Sequence, residues 1–181
     1  NLHLFLNPEM TGSDPGLLNT PVADESKCNG CGLCSELCQF KAIAVLSEVL
    51  LVFPEMCHGC GGCMIVCPEG AISAGERQLG EISIGTALDS PFFMGRLRVG
   101  EAMSPPLMRQ VLAEVEHRVD TTTRDILIDA PPGVSCPAVT AVMECDAVVL
   151  VTEPTPFGQT PGGAGGRPGC RRDIRGRRSR G

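Results

Sequence analysis

Eight of the eleven cysteines stand between residues 28 and 67 in two matching runs, Cys28-x2-Cys31-x2-Cys34-x3-Cys38 and Cys57-x2-Cys60-x2-Cys63-x3-Cys67, the second followed at once by Pro68. This spacing is a chemical requirement. Two residues between cysteines let a short loop bend its thiolates toward one point, so three of them can hold three corners of an iron–sulfur cube, while the fourth lies beyond that loop's reach. The competing reading is zinc, since paired C-x2-C knuckles bind it through four thiolates. Zinc sites pair two knuckles across a long spacer, whereas here three cysteines crowd each loop with a fourth three residues on. A disulfide framework suits a secreted chain, and the stretch from Cys28 to Cys67 is too dense in C-x2-C turns for one.

The runs are an internal repeat. Lys27 to Ile43 aligns with Met56 to Ile72 without gaps, matching at both sets of cysteines and at Gly30/Gly59, Gly32/Gly61, Ala42/Ala71 and Ile43/Ile72. Backbone must pass close to inorganic sulfide, which favours the residue without a Cβ. The segment resembles a bacterial-type ferredoxin carrying two [4Fe-4S] clusters, with one departure: Gln39 stands where the second run keeps Pro68. In such proteins the fourth cysteine of each run ligates the other run's cluster. The resemblance therefore implies one cluster on Cys28, Cys31, Cys34 and Cys67, and a second on Cys57, Cys60, Cys63 and Cys38.

At 181 residues the chain is one large or two small domains. Aromatic residues make up only 3%, with no Trp and no Tyr. No apolar run approaches the ~20 residues that cross a bilayer, and reduced cysteines point to a cytoplasmic protein. A ferredoxin-sized piece buries too little surface to fold comfortably alone, so metal–thiolate bonding must supply much of its stability. The formal charge of −6 hides an acidic body and a basic end, because seven of the fifteen basic residues lie from Arg167 onward. An acidic body argues against a nucleic-acid partner and suits docking to a basic redox partner protein.

Residues 7 to 26 are rich in Pro, Gly, Asp and Thr and read as loop. Ala42–Leu46 and Val49–Phe53 read as a short hairpin, and Ala71–Ser73 as the start of the matching strand in the second half. Glu81–Ile84 and Gly95–Val99 alternate as half-exposed strands do. A helix follows, with Ser104 as N-cap candidate and Pro105-Pro106 in the first turn. Its core face is Leu107, Met108, Val111, Leu112, Val115 and Val119; Arg109, Glu114, Glu116, His117 and Arg118 form the solvated face. Ile126–Asp129 and Ala147–Thr152 read as buried parallel strands, the first closed by Asp129. Cys136 and Cys145, beside them, read as small core residues. His58, inside the second cysteine loop, reads as a surface residue near the cluster.

Asp129-x-Pro131-x-Gly133, Ser135-Cys136-Pro137 and Val151–Gly158 are similar to motifs of the MinD/ParA/Mrp class of ATPases, and more narrowly to MinD-like members with an inserted ferredoxin domain. Asn1–Leu6, the cysteine segment, Phe93–Glu101 and Arg124–Gly158 fit that pattern in order. The resemblance implies an α/β fold, a partial P-loop NTPase-type parallel sheet, with an inserted α+β bacterial-ferredoxin-like domain. It divides the chain into 1–23 and 76–158 of the ATPase domain, 24–75 of the ferredoxin and a tail, 159–181. It further implies Asp129 as the Mg²⁺-organising residue of a full-length protein, Mg-ATP bound only there, and a homodimer of the full-length form. The family's phosphate-cradling loop needs lysine in a Gly-rich turn, and Lys27 and Lys41, the sole lysines, lie in no such turn. The chain is thus expected to begin after that loop and not to hydrolyse ATP alone. Past Gly158 the sequence becomes Gly-, Pro- and Arg-rich with no hydrophobic period, and Cys170 lies within it. A frame-shifted tail is expected there, with a basic interaction tail as the alternative.

Overall fold

The computed structural model describes residues 2–47, 49–132, 136–143 and 145–151. Gly133, Ser135, Thr152–Gly158 and the whole tail, with Cys170, lie outside the described residues, so the expectations placed on them have no structural counterpart. The chain divides into two compact units, residues 1–126 and residues 127–181.

The first unit is built on a long antiparallel ribbon. A short helix α1 (Leu2–Leu6), none of it buried, precedes strand β1 (Glu9–Ala23), which pairs with β4 (Ile72–Ala87) from Glu9↔Thr86 to Ala23↔Ile72. Strand β5 (Ser90–Leu97) covers the far half of β4, so the order is β1-β4-β5. Residues 7–26 are therefore mostly strand and not loop, with β1 ending at Ala23 and β4 running from Ile72 across residue 76. The prolines that suggested loop sit where a strand tolerates them. Pro15 and Pro21 lie on β1, an edge strand, whose outward side needs no ladder N–H.

A bulge gives this ribbon its core. Gly16 pairs with Gly80 but Leu17 with Gln78, so Leu79 is an extra residue on β4, and its side chain is fully buried. Leu79 packs with Leu18, Ile82 and Leu107, with Leu97, Met103 and Val111 around them. Leu107 and Val111 come from helix α4 (Ser104–Arg118), whose exposed face carries Arg109, Glu116 and His117 as the periodicity predicts. The helix begins at Ser104 with Met103 as its cap residue and no side-chain cap bond, so Ser104 is not the N-cap. Opposite the bulge, the Gln110 side chain accepts from Leu17 N–H (3.0 Å) and donates to Leu17 C=O (2.7 Å). The strand expected to reach Val99 ends at Leu97, and Val99 is fully exposed.

Between β1 and β4 lies the cysteine segment, and there the sequence repeat is a structural one. Helices α2 (Leu33–Leu37) and α3 (Gly62–Val66) occupy equivalent positions, each preceded by a one-turn 3₁₀ helix, Glu25–Lys27 and Pro54–Met56. The hairpin β2 (Ile43–Leu46) with β3 (Val49–Val52) pairs Ile43 with Val52, just as Ile72 pairs with Ala23 at the end of the ribbon. Phe53 N–H donates to Ala42 C=O and Asp24 N–H to Ala71 C=O, both at 2.8 Å. A second core fills this region, with Cys34, Ile43, Leu50 and Ile72 at its centre.

In the second unit the described residues form one helix, α5 (Cys136–Val142). Ile126–Asp129 and Ala147–Val151 are not strands, and no parallel pairing occurs among the described residues. Their apolar side chains are largely exposed, Leu127 by 92% and Val149 by 86%. A buried parallel strand needs a neighbouring strand and covered faces, and among the described residues these runs join no sheet and leave their apolar side chains largely exposed. Cys136 is exposed and so is not a core residue; Cys145 is partly buried, its thiol donating to Ala141 C=O.

Candidate metal centre

Each short helix directs one thiol inward from its first turn, Cys34 from α2 and Cys63 from α3, while the preceding loop carries two more. The loops turn through left-handed glycines, Gly32 (φ 80°) and Gly61 (φ 72°), each immediately before its helix. That geometry costs a residue with a Cβ about 1–2 kcal/mol. Cys38 and Cys67 end the helices in extended backbone (ψ 101° and 112°), which points each of them away from its own loop.

The result is two cavities. Cys28, Cys31, Cys34 and Cys67 line the first, with Asn29, Val45, Leu50, Glu69 and Ile72. Cys38, Cys57, Cys60 and Cys63 line the second, with Leu37, Phe40, His58 and Met64. Thus three thiols of one run meet the fourth of the other, in both directions. The electrostatics group them in the same way. Burial pushes the Cys34 thiol up, and the charges of Cys67 and Cys28 add to that; burial does the same to Cys63, helped by Cys57 and Cys60.

The donor set fits an iron–sulfur cube. The ten described cysteines are free thiols. Backbone N–H groups already aim at the sulfurs, from Ala42 to Cys38 (3.3 Å), Ala71 to Cys67 (3.3 Å) and Gly59 to Cys57 (3.4 Å). Such bonds favour thiolate over thiol. Zinc draws its sulfurs to ~2.3 Å, yet among the described residues no group of three or more His, Cys, Asp or Glu is spaced to hold a single ion. Four thiols line each of the two cavities.

Both halves of the site match the 4Fe-4S binding domain family, over residues 21–44 and 50–73. This is a ferredoxin-like iron–sulfur protein. It binds 4Fe-4S clusters, and its sheets are antiparallel, as an α+β ferredoxin-like domain requires. The chain is also 34% identical over 128 residues to an uncharacterized protein of Methanocaldococcus jannaschii, a match spanning 71% of this chain and 44% of that relative. The chain thus spans less than half the length of the relative it matches. Among the described residues no helix is long and apolar enough to cross a membrane.

One other candidate falls outside the cavities. Asp129 is an exposed residue of the second unit, in a segment with neither helix nor strand. His58 is exposed, as expected, but it also lines the second cavity and stacks on Phe40, ring centroids 3.5 Å apart and 8° from parallel. The sequence reading missed two contributors: Phe40 at the second cavity and Glu69, which accepts from Asn29 (3.0 Å), at the first.

Proposed function

We propose that the protein carries electrons one at a time on two [4Fe-4S] clusters, the first held by Cys28, Cys31, Cys34 and Cys67 and the second by Cys57, Cys60, Cys63 and Cys38. The observation that carries this reading is the sharing of each cavity between three thiols of one run and the fourth of the other. A bound cluster supplies a one-electron couple. The chain's part is ligation by thiolate, N–H donation to sulfur and partial burial, which together set the potential. Its acidic composition favours a basic redox partner protein.

The test is the metal content of protein purified without oxygen. About eight iron and eight acid-labile sulfide per chain are expected, with a brown colour bleached by dithionite. A colourless protein holding stoichiometric zinc would replace this reading with a structural zinc module that transfers no electrons.

The setting of the cluster segment is a finer proposal. It is read as an insert in a MinD-like nucleotide-binding ATPase, in which Asp129 organises Mg²⁺ and nucleotide state is coupled to redox work or to cluster or metal handling. Support comes from the motifs around Asp129 and Pro131. Calorimetry with Mg-ATP tests it. This chain is expected to bind none, and a version extended by a Gly-rich, lysine-bearing loop to bind it; failure of the extended version would remove the ATPase setting and leave the cluster reading intact.

A further inference from the structure

The repeat relates the two cavities position by position, so residues that differ between them stand out. The residue after the first cysteine of each run is Asn29 at the first cavity and His58 at the second. The second residue after the fourth cysteine is Glu69 at the first cavity and Phe40 at the second. In both halves these two residues touch, across loops from different runs. At the first cavity the contact is a hydrogen bond from Asn29 Nδ2 to Glu69 Oε1 (3.0 Å), and Asn29 Oδ1 also accepts from Cys31 N–H (3.1 Å). At the second it is the Phe40–His58 stack. The same backbone frame therefore carries a carboxylate clasp on one side and an aromatic clasp on the other.

We infer that this exchange sets the order in which the two clusters accept electrons, with the Cys38/Cys57/Cys60/Cys63 cluster at the higher potential and Glu69 holding the other one lower. The inference rests on the two-cluster reading. Reduction changes a cluster from [4Fe-4S]²⁺ to [4Fe-4S]⁺, taking one electron from a one-electron donor that is itself oxidised, with no proton required. The added negative charge is opposed by a carboxylate fixed beside the cluster and favoured by N–H bonds to its sulfurs. Both effects have the same sign here. Glu69 lines the first cavity, while the Gly59 N–H bond to Cys57 at the second quartet adds to the equivalent bonds from Ala42 to Cys38 and from Ala71 to Cys67. An electron delivered to the protein comes to rest on the second cluster, beside the exposed Phe40 and His58.

The experiment is an EPR-monitored potentiometric titration of the holoprotein. Wild type should give two one-electron potentials. Glu69→Gln should shift the lower one upward by about tenfold in the reduction equilibrium, ~59 mV for a one-electron couple, and leave the upper in place. Glu69→Asp should hold the wild-type value, since it keeps the charge. The double variant Phe40→Glu/His58→Asn, which transplants the carboxylate clasp, should lower the upper potential. Without any variant, raising the salt concentration should narrow the wild-type split, because Glu69 is exposed and salt screens it. A Glu69→Gln shift confined to the upper potential, or no shift in either, overturns the inference, as does a salt-independent split. Fewer than two clusters per wild-type chain would instead overturn the reading on which it rests.

Discussion

Arg77 and Glu101 form an ion pair with both side chains buried, 7% and 4% exposed, beneath the junction of β4, the β5 end and α4. Arg77 also reaches Glu55 (3.0 Å), two residues before Cys57, and Arg98 closes the group on Glu55 (2.8 Å). The network ties the second cysteine loop to the sheet. Removing one member of a buried pair leaves an uncompensated charge, which costs about 3–5 kcal/mol, whereas replacing both with apolar residues is often neutral. Arg77→Met should therefore lower the urea midpoint strongly, and Arg77→Met/Glu101→Leu should recover most of it. Circular dichroism and cluster absorbance are the probes, as the chain has no Trp or Tyr. A double variant as unstable as the single one would show that packing, and not charge, dominates there.

The same pair gives a pH dependence. Burial pushes the Glu101 carboxyl up, but the Arg77 hydrogen bond, the Met103 N–H and the charges of Arg77 and Arg98 outweigh it and hold the group below its ordinary 4.5. A folded-state value below the unfolded one means the unfolded chain binds more protons, so stability rises with pH. The contribution is complete above the ordinary value and is lost as pH falls through the depressed one. As pH falls below the ordinary carboxylate value, wild type should lose stability more steeply than Glu101→Gln. Equal slopes for the two proteins would remove Glu101 from the acid response.

Gln110 is expected to matter more than its neighbour Arg109. Its amide serves both backbone groups of Leu17 at the bulge, and removing it leaves a donor and an acceptor without that partner. Gln110→Ala should cost about 2 kcal/mol. Arg109→Ala, on the exposed helix face, should stay within about 0.5 kcal/mol. Comparing the two denaturation midpoints checks this; equal small losses would mean water replaces the amide.

What could be read from the sequence was what local spacing fixes. The eight thiols, the repeat, the β2–β3 hairpin and the apolar face of α4 all follow from residues within a few positions of one another. Strand β1 did not, because its partner lies some fifty to eighty residues away and its own composition is that of a turn. Arg77 sits in Glu76-Arg77-Gln78, a polar run with no mark of burial, and it is buried because it pairs with Leu18 and shares the inward face of β4 with Leu79. Residues 126–129 and 147–151 erred in the opposite direction: an apolar run marks a strand only where a neighbouring strand exists to pair with it. The clasp residues were within reach, since the repeat that matches the cysteines also isolates Asn29/His58 and Phe40/Glu69 as its mismatches.

Crossed ligation makes the sharpest prediction. Cys67 belongs to the second run but lines the cavity of Cys28, Cys31 and Cys34, while Cys38 lines the cavity of Cys57, Cys60 and Cys63. Each thiol's N–H donor is the residue just before the next strand, Ala71 for Cys67 and Ala42 for Cys38. Cys67→Ala should therefore remove one ligand from the first cluster and leave all four on the second. With three thiolates a cube is prone to lose iron, so EPR of the reduced variant should lose the first cluster's signal and keep the second's. Cys38→Ala should give the mirror result. The first cluster is identified by its response to Glu69→Gln, which makes the two experiments check each other. If Cys67→Ala instead abolished the signal insensitive to Glu69, each run would hold its own cluster, and the shared cavities would need another explanation.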